Sequence, residues 1–229
     1  MAMSKVTQHK VGGNEKMIVT LKNVNKKFKR HAVLQGVDLS IEASQIVGIA
    51  GHNGSGKSTL LRIICGLLPV DQGEVHVLGE RITPKTRLPE GISALFEPPG
   101  LLPDLTGIQN LKVVASIRNI MDEKSLEALL HRVGLQADDQ RKVSQYSQGM
   151  KKRLGIAITM MENPKLVLMD EPLNGLDPDG IVEFRKWVRT FRENDASVLI
   201  ISHDIEEMKA VCDVMYKLEN GSLHAMQVG

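Results

Sequence analysis

Residues Gly51, His52, Asn53, Gly54, Ser55, Gly56, Lys57 and Ser58 fit the spacing G-x-x-x-x-G-K-[ST]. They follow an apolar run at 46–50 and precede a helical pattern over 59–65, the setting such a loop requires. Glycines at these intervals let the backbone curl until successive N–H groups converge on phosphate oxygens, and the helix N-terminus behind them adds partial positive charge. Lys57 is placed to reach the β- and γ-phosphates and Ser58 to ligate Mg²⁺. Gly51, Asn53, Gly54, Ser55, Gly56, Lys57, Ser58 and Thr59 are therefore the expected binding residues for a nucleoside triphosphate, a Walker A loop.

Two further sets of residues belong to the same chemistry. The apolar run 166–169 delivers Asp170 and Glu171 to the carboxyl end of a strand, where ligands bind in open α/β sheets. Asp170 is placed to hold Mg²⁺, directly or through water, and Glu171 to orient and deprotonate an attacking water. The run 198–202 brings His203 to the same edge, although a histidine after a strand is by itself more often structural.

These groups need a scaffold that aligns several strand ends. Residues 46–50, 166–169 and 198–201 are short continuous apolar runs of the kind buried on both faces of a parallel sheet. Helical patterns separate them, which predicts an α/β core. Residues 18–24 alternate apolar and polar, as do Val37, Leu39 and Ile41, predicting two half-buried antiparallel strands. Asp122 can cap a helix with Leu126, Leu129, Leu130 and Val133 on one face and Gly134 at its left-handed end. A later helix carries Ile181, Phe184, Val188 and Phe191 on one stripe. Another starts at Asp204 with Glu207 three residues on, a capping-box-like pair, and Asn220-Gly221 marks a hairpin turn.

One more segment decides the class: Tyr146, Ser147, Gln148, Gly149 and Met150, followed by Lys151, Lys152, Arg153 and the apolar stretch 154–158. It resembles the LSGGQ signature of ABC transporter ATPases, with Gln148 in place of the first glycine and Met150 in place of the glutamine. Order and spacing match that family as well. Ser147 follows Lys57 by 90 residues, Asp170 follows Ser147 by 23 and His203 follows Asp170 by 33. The resemblance runs from about Met17 onward. It implies that Ser147, Gln148, Gly149 and Met150 face the γ-phosphate held by a second subunit, again an anion at a helix N-terminus. It also implies that 174–177 is the D-loop, with Asp177, that His203 is the H-loop switch, and that Phe28 stacks on adenine. From the residues alone Phe28 is equally a packing aromatic.

Residues 96–106 align with the family's Q-loop, which places Glu97 where glutamine is usual. A carboxylate offers the metal two oxygens and a full charge where glutamine offers one neutral carbonyl, so metal contact is kept and coupling retuned. With 106–111, 146–150 and 171–178, this glutamate is similar to the ATPase subunits of lantibiotic-immunity and bacitracin-resistance exporters, a group whose Q-loop is an E-loop.

The resemblance implies a P-loop NTPase of the ABC ATPase fold: a mostly parallel core sheet, an antiparallel β subdomain and a helical subdomain over about 98–162, together one domain over 17–229. It implies ATP and Mg²⁺ as cofactors, with Ser58, Glu97 and Asp170 at the metal. A second ATPase subunit, in a head-to-tail homodimer, and separate transmembrane permease subunits are the implied partners. The place implied is the inner face of the cell membrane, peripheral and cytoplasmic. Alternatives are the ATPase of another small exporter of drugs, lipids or polysaccharides and, less well matched, a soluble non-transport ABC ATPase. Glu171 and His203 argue against a module that no longer hydrolyses.

Composition sets the remaining bounds. With 42% hydrophobic and 24% charged residues among 229, the chain has the profile of a globular protein, which excludes disorder and fibrous repeats. A formal net charge of +2 supplies no strong field for nucleic acid. The most apolar stretch, 60–70, is interrupted by Arg62, Gly66 and Pro69 and falls short of the roughly 20 residues that span a bilayer. Residues 1–16 lack the apolar segment of a secretory signal and are expected to be a flexible extension or a cloning remnant. Cys65 and Cys212 match no metal or redox spacing and are expected to be reduced, partly buried thiols.

Overall fold

Short apolar runs flanked by glycine and polar turns cannot bury themselves as helices, and in the computed structural model they form the middle of a parallel sheet. The structure describes residues 17–83, 85, 89–118 and 122–228; the expected N-terminal extension lies outside them. In chain order the elements are β1 (Met17–Phe28), β2 (His31–Glu42), β3 (Ile46–Ala50), α1 (Lys57–Ile64), β4 (Gln72–Val77), β5 (Glu80–Arg81) and β6 (Ile92–Leu95). They continue with α2 (Gly107–Arg118), α3 (Glu123–Arg132), a 3₁₀ turn (Val143–Gln145), α4 (Gln148–Met160) and β7 (Leu166–Asp170). The last are α5 (Pro178–Glu193), β8 (Ser197–Ser202), α6 (Ile205–Lys209), β9 (Val214–Glu219) and β10 (Ser222–Met226).

Strands β2-β1-β4-β5 form an antiparallel sheet, and β10-β9-β3-β8-β7-β6 form the second, parallel except for β10 at its edge. Every residue of β3, β7 and β8 is buried, and the pleat sends alternate side chains into two cores. Val47, Ile49, Leu166, Leu168, Leu199 and Ile201 pack with α1 and the antiparallel sheet. Ile46, Ala50, Val167, Met169, Val198 and Ile200 pack with α3, α4 and α5. The expected α/β fold with an antiparallel layer and a helical region is what forms.

Local signals are largely realised. Asp122 accepts from the Ser125 N–H at 2.8 Å, Leu126, Leu129, Leu130 and Val133 are buried, and Gly134 takes φ +74°. Asn220 and Gly221 both have positive φ, as a two-residue turn between β9 and β10 requires. Three expectations are corrected. The buried stripe of α5 includes Trp187, whose indole N–H donates to the Arg132 carbonyl, whereas Ile181 is only half-buried. The start of α6 is half a capping box: Asp204 accepts from the Glu207 N–H, but the Glu207 carboxylate bonds Arg185, and the Asp204 N–H goes to Ser202 Oγ. Both cysteines are buried rather than partly so.

Burial pushes the Cys65 and Cys212 thiols up to about 12. Thiolate is the reacting species, so both should label with a disulfide reagent at pH 8 at least about 100-fold more slowly in the folded protein than in urea. Rapid labelling of either thiol in the folded chain would contradict the packing around it.

Candidate functional site

The β3-to-α1 connection is shaped by backbone freedom. Gly54 has φ +83° and Gly56 φ +106°, a region closed to most side chains. A Cβ on Gly54 would meet nothing within 4 Å, so the loop is open on that side. One on Gly56 would lie 2.9 Å from Val33 Cγ1, and one on Gly51 2.6 Å from Ser55 Oγ. No side chain caps the N-terminus of α1, which leaves its first N–H groups for an external acceptor. Lys57, 6% exposed, donates from Nζ to the carbonyls of Gly51 at 2.6 Å and His52 at 3.2 Å.

An open cleft of about 480 Å³ lies over this loop, a size suited to a small-molecule ligand. Phe28, Asn53, Gly54, Gly56, Lys57, Ser58 and Thr59 line it from the predicted set, joined by Arg62, His31, Val33 and Asn174. Gly51 and Ser55 do not line it; they shape the loop from beneath, and Ser55 Oγ is buried without a partner, a spare donor and acceptor under the cradle. The half-exposed Phe28 ring stands at the cleft with Lys26 Nζ 5.6 Å from its centroid.

Glu97, Asp170 and Glu171 bring three carboxylates to the same cleft. Burial holds the Asp170 carboxyl above its ordinary value and the charge of Glu171 adds to this, while the Ser58 hydroxyl bond and the charges of Arg62 and Lys57 oppose it. Glu171 takes φ +47°, a conformation that costs a non-glycine residue about 1–3 kcal/mol and is typical of functional turns. Its N–H donates to the Ile201 carbonyl at 2.9 Å. Its Oε2 accepts from Ser202 Oγ at 3.1 Å and the His203 N–H at 3.3 Å and lies 2.9 Å from His203 Nδ1; its Oε1 lies 3.5 Å from Lys57 Nζ. Glu171, expected to activate water, and His203, expected to be the H-loop switch, are thus in contact.

Ser58, Glu97 and Asp170 offer only hydroxyl and carboxylate oxygens, the donor set of a hard cation. Among the described residues no three His, Cys, Asp or Glu side chains group as a complete cage. Mg²⁺ is such a hard cation, and it keeps several waters and takes one or two carboxylates plus substrate phosphates.

Ser147, Gln148, Gly149 and Met150 do not line the cleft of their own chain. Ser147 caps α4 by accepting from the Met150 N–H at 3.2 Å, and Gly149 packs so closely on Gly175 that a Cβ would stand 3.2 Å from the Gly175 carbonyl. Asp177 also lies outside the cleft lining and caps α5 through the Gly180 N–H at 2.8 Å. Sequence reasoning missed Lys152, which donates to Glu97 Oε2 and, at 3.0 Å, to the Glu171 carbonyl. The available signal was a lysine in register with the buried Ile156 and Thr159, at i, i+4 and i+7 on α4.

A profile of the ABC transporter family matches residues 34–174. The chain is 33% identical over 206 residues to the lantibiotic transport ATP-binding protein SrtF of Streptococcus pyogenes, covering 90% of this chain and 89% of that one. It is 33% identical over 208 residues to the bacitracin transport ATP-binding protein BcrA of Enterococcus faecalis, covering 90% and 68%. A solved dimeric, post-hydrolysis ATP-binding cassette bound to ADP and Pi superposes with a TM-score of 0.83 at 26% identity, covering 92% of this chain and 99% of that one.

Gly56→Ala should weaken binding of a fluorescent ATP analogue at least about tenfold, because the new methyl meets Val33 and the positive φ is strained. Circular dichroism should show the fold retained. Affinity equal to that of the unaltered protein would mean that the loop geometry is not what forms the cradle.

Proposed function

The chain belongs to the ABC transporter family as an ATP-binding, ATP-hydrolysing subunit, and on that premise we propose that it drives the export of a lantibiotic or similar peptide antibiotic through a separate membrane permease. The observation that carries the chemistry is the contact, at 2.9 Å, of His203 from outside the lining with Glu171, which lines the cleft together with Lys57, Ser58 and Asp170.

Lys57 and the uncapped N-terminus of α1 hold the phosphates. Phosphate oxygens carry full charge and attract the ammonium more strongly than the two carbonyls it now contacts. Ser58, Asp170 and Glu97 would hold Mg²⁺, which would supply positive charge against the phosphates of the nucleotide. Phe28 supports the base. Glu171 takes the proton of the attacking water, and His203, with Ser202, fixes the direction of its carboxylate. Because Ser147 and its helix N-terminus stand outside their own cleft, they are assigned to the cleft of a second copy, in a head-to-tail homodimer closed by ATP and opened by hydrolysis. Asp177, at the cap of α5 beside that segment, is assigned to the same dimer contact.

No described helix is long and apolar enough to cross a membrane. The translocation path is assigned to permease subunits, with this subunit peripheral on the cytoplasmic face and the Glu97 loop and the helical insertion after it, about 98–142, receiving the permease. Support for a peptide-antibiotic cargo is the similarity to lantibiotic and bacitracin transport proteins over about nine-tenths of the chain, together with Glu97 in the loop where the family's glutamine is usual.

Glu171→Gln should bind ATP within a few-fold of the unaltered protein and elute as a stable dimer with it, while hydrolysis falls about 10²- to 10⁴-fold. Near-normal turnover would remove Glu171 from the reaction. In cells that carry the permease, the same substitution should raise sensitivity to lantibiotics or bacitracin. Unchanged sensitivity to both, with altered tolerance of a non-peptide drug, would overturn the cargo assignment.

A further inference from the structure

The cleft is built for a polyanion, yet its lining carries two permanent cations, Lys57 and Arg62, against three carboxylates, Glu97, Asp170 and Glu171. The missing positive charge stands directly behind the lining. Lys152 is 2% exposed, an extreme for lysine, whose ammonium is seldom buried without a partner. Its Nζ donates to Glu97 Oε2 and to the main-chain oxygen of Glu171. The adjacent Arg153 turns elsewhere, to the Val133 carbonyl and the Trp187 ring. One ammonium therefore joins three segments: the helix opened by Ser147, the loop of Glu97 and the strained turn that aims Glu171.

We propose that Lys152 is a positioning residue that cancels the charge of Glu97 and fixes its carboxylate, so that this loop presents the cleft with the near-neutral oxygen donor that a glutamine would supply. One carboxylate oxygen is held by the ammonium and the other serves the metal–nucleotide complex. The bond to the Glu171 carbonyl keeps the catalytic turn in step with the same helix, so that movement of α4 carries Glu97 and Glu171 with it. The inference rests on the reading of the cleft as a Mg²⁺–ATP site.

The test is a double-mutant cycle of Glu97→Gln, Lys152→Gln and the pair together, with Lys152→Arg as the charge-conserving control. Without nucleotide, each single glutamine variant should lower the melting temperature by about 5–10 °C, since each leaves a part-buried charge unpaired, and the double variant should recover at least half of the summed loss. In titrations of a fluorescent ATP analogue, Lys152→Gln should lower the Mg²⁺ concentration at half-saturation at least about threefold, and Glu97→Gln should raise it by a similar factor. The double variant and Lys152→Arg should stay within about twofold of the unaltered protein. Additive losses of melting temperature, or a Mg²⁺ dependence unmoved by Lys152→Gln, overturn the proposal. Should Lys152→Gln fail to fold, recovery of folding by the double variant is the expected coupling, and failure of both overturns it. An unaltered protein that takes up no nucleotide with Mg²⁺ overturns the functional reading itself, whereas normal uptake without coupling overturns only the role of Lys152.

Discussion

Because β3 pairs with β8 from Ile46 opposite Val198 to Ala50 opposite Ser202, and β7 with β8 up to Asp170 opposite Ile201, three buried strands end at one edge of the sheet. Slipping either pairing by one residue would exchange the two cores, since alternate side chains of these strands belong to different ones. The register is therefore held by burial on both faces. It is this register that sets the phosphate loop after Ala50, the carboxylates at Asp170 and Glu171, and His203 after Ser202 side by side.

On that edge the local chemistry is one of opposed costs. Asp170 is buried enough for its carboxyl to be raised, Glu171 is held in a left-handed conformation, and Lys57 is enclosed among carbonyls. Each is unfavourable for an isolated fold and each is offset by a neighbour: the Ser58 hydroxyl, the Ile201 carbonyl and the Glu171 carboxylate. The groups are thereby held in fixed positions at one strand edge before any ligand arrives. The helical region contributes from behind, through Lys152, instead of lining the cleft with α4 itself.

Elements with a strong pattern were readable in advance. The three apolar runs, the alternating strands, the helix capped by Asp122 and the apolar stripe of α5 all carry a periodicity or a cap that local physics enforces, whereas the cap of α5 at Asp177 emerged only in the structure. Strands β4 and β5 were not readable, since β4 buries only Val75 and Val77 and β5 has two exposed residues. Nor was β6, a four-residue edge strand with no alternation to mark it. These strands exist because a neighbour offers a ladder, β1 to β4 and β7 to β6, and that is not a property of their own residues.

The chemistry of the site was set by the sequence itself. Glycines before Lys57 and Ser58, paired carboxylates after an apolar run and a serine opening a helix are local patterns, and phosphate binding and water activation depend on residue type at fixed spacing. What only the tertiary structure decided is which of those groups touch. Glu171 meets His203 across 32 residues, and Glu97 meets Lys152 across 55. The register of Lys152 with Ile156 and Thr159 could mark its face of α4 but not its partner. Only the packing of α4 against the Glu97 loop and the end of β7 removes that ammonium from water, and an ion removed from water must find its counter-charge within the fold.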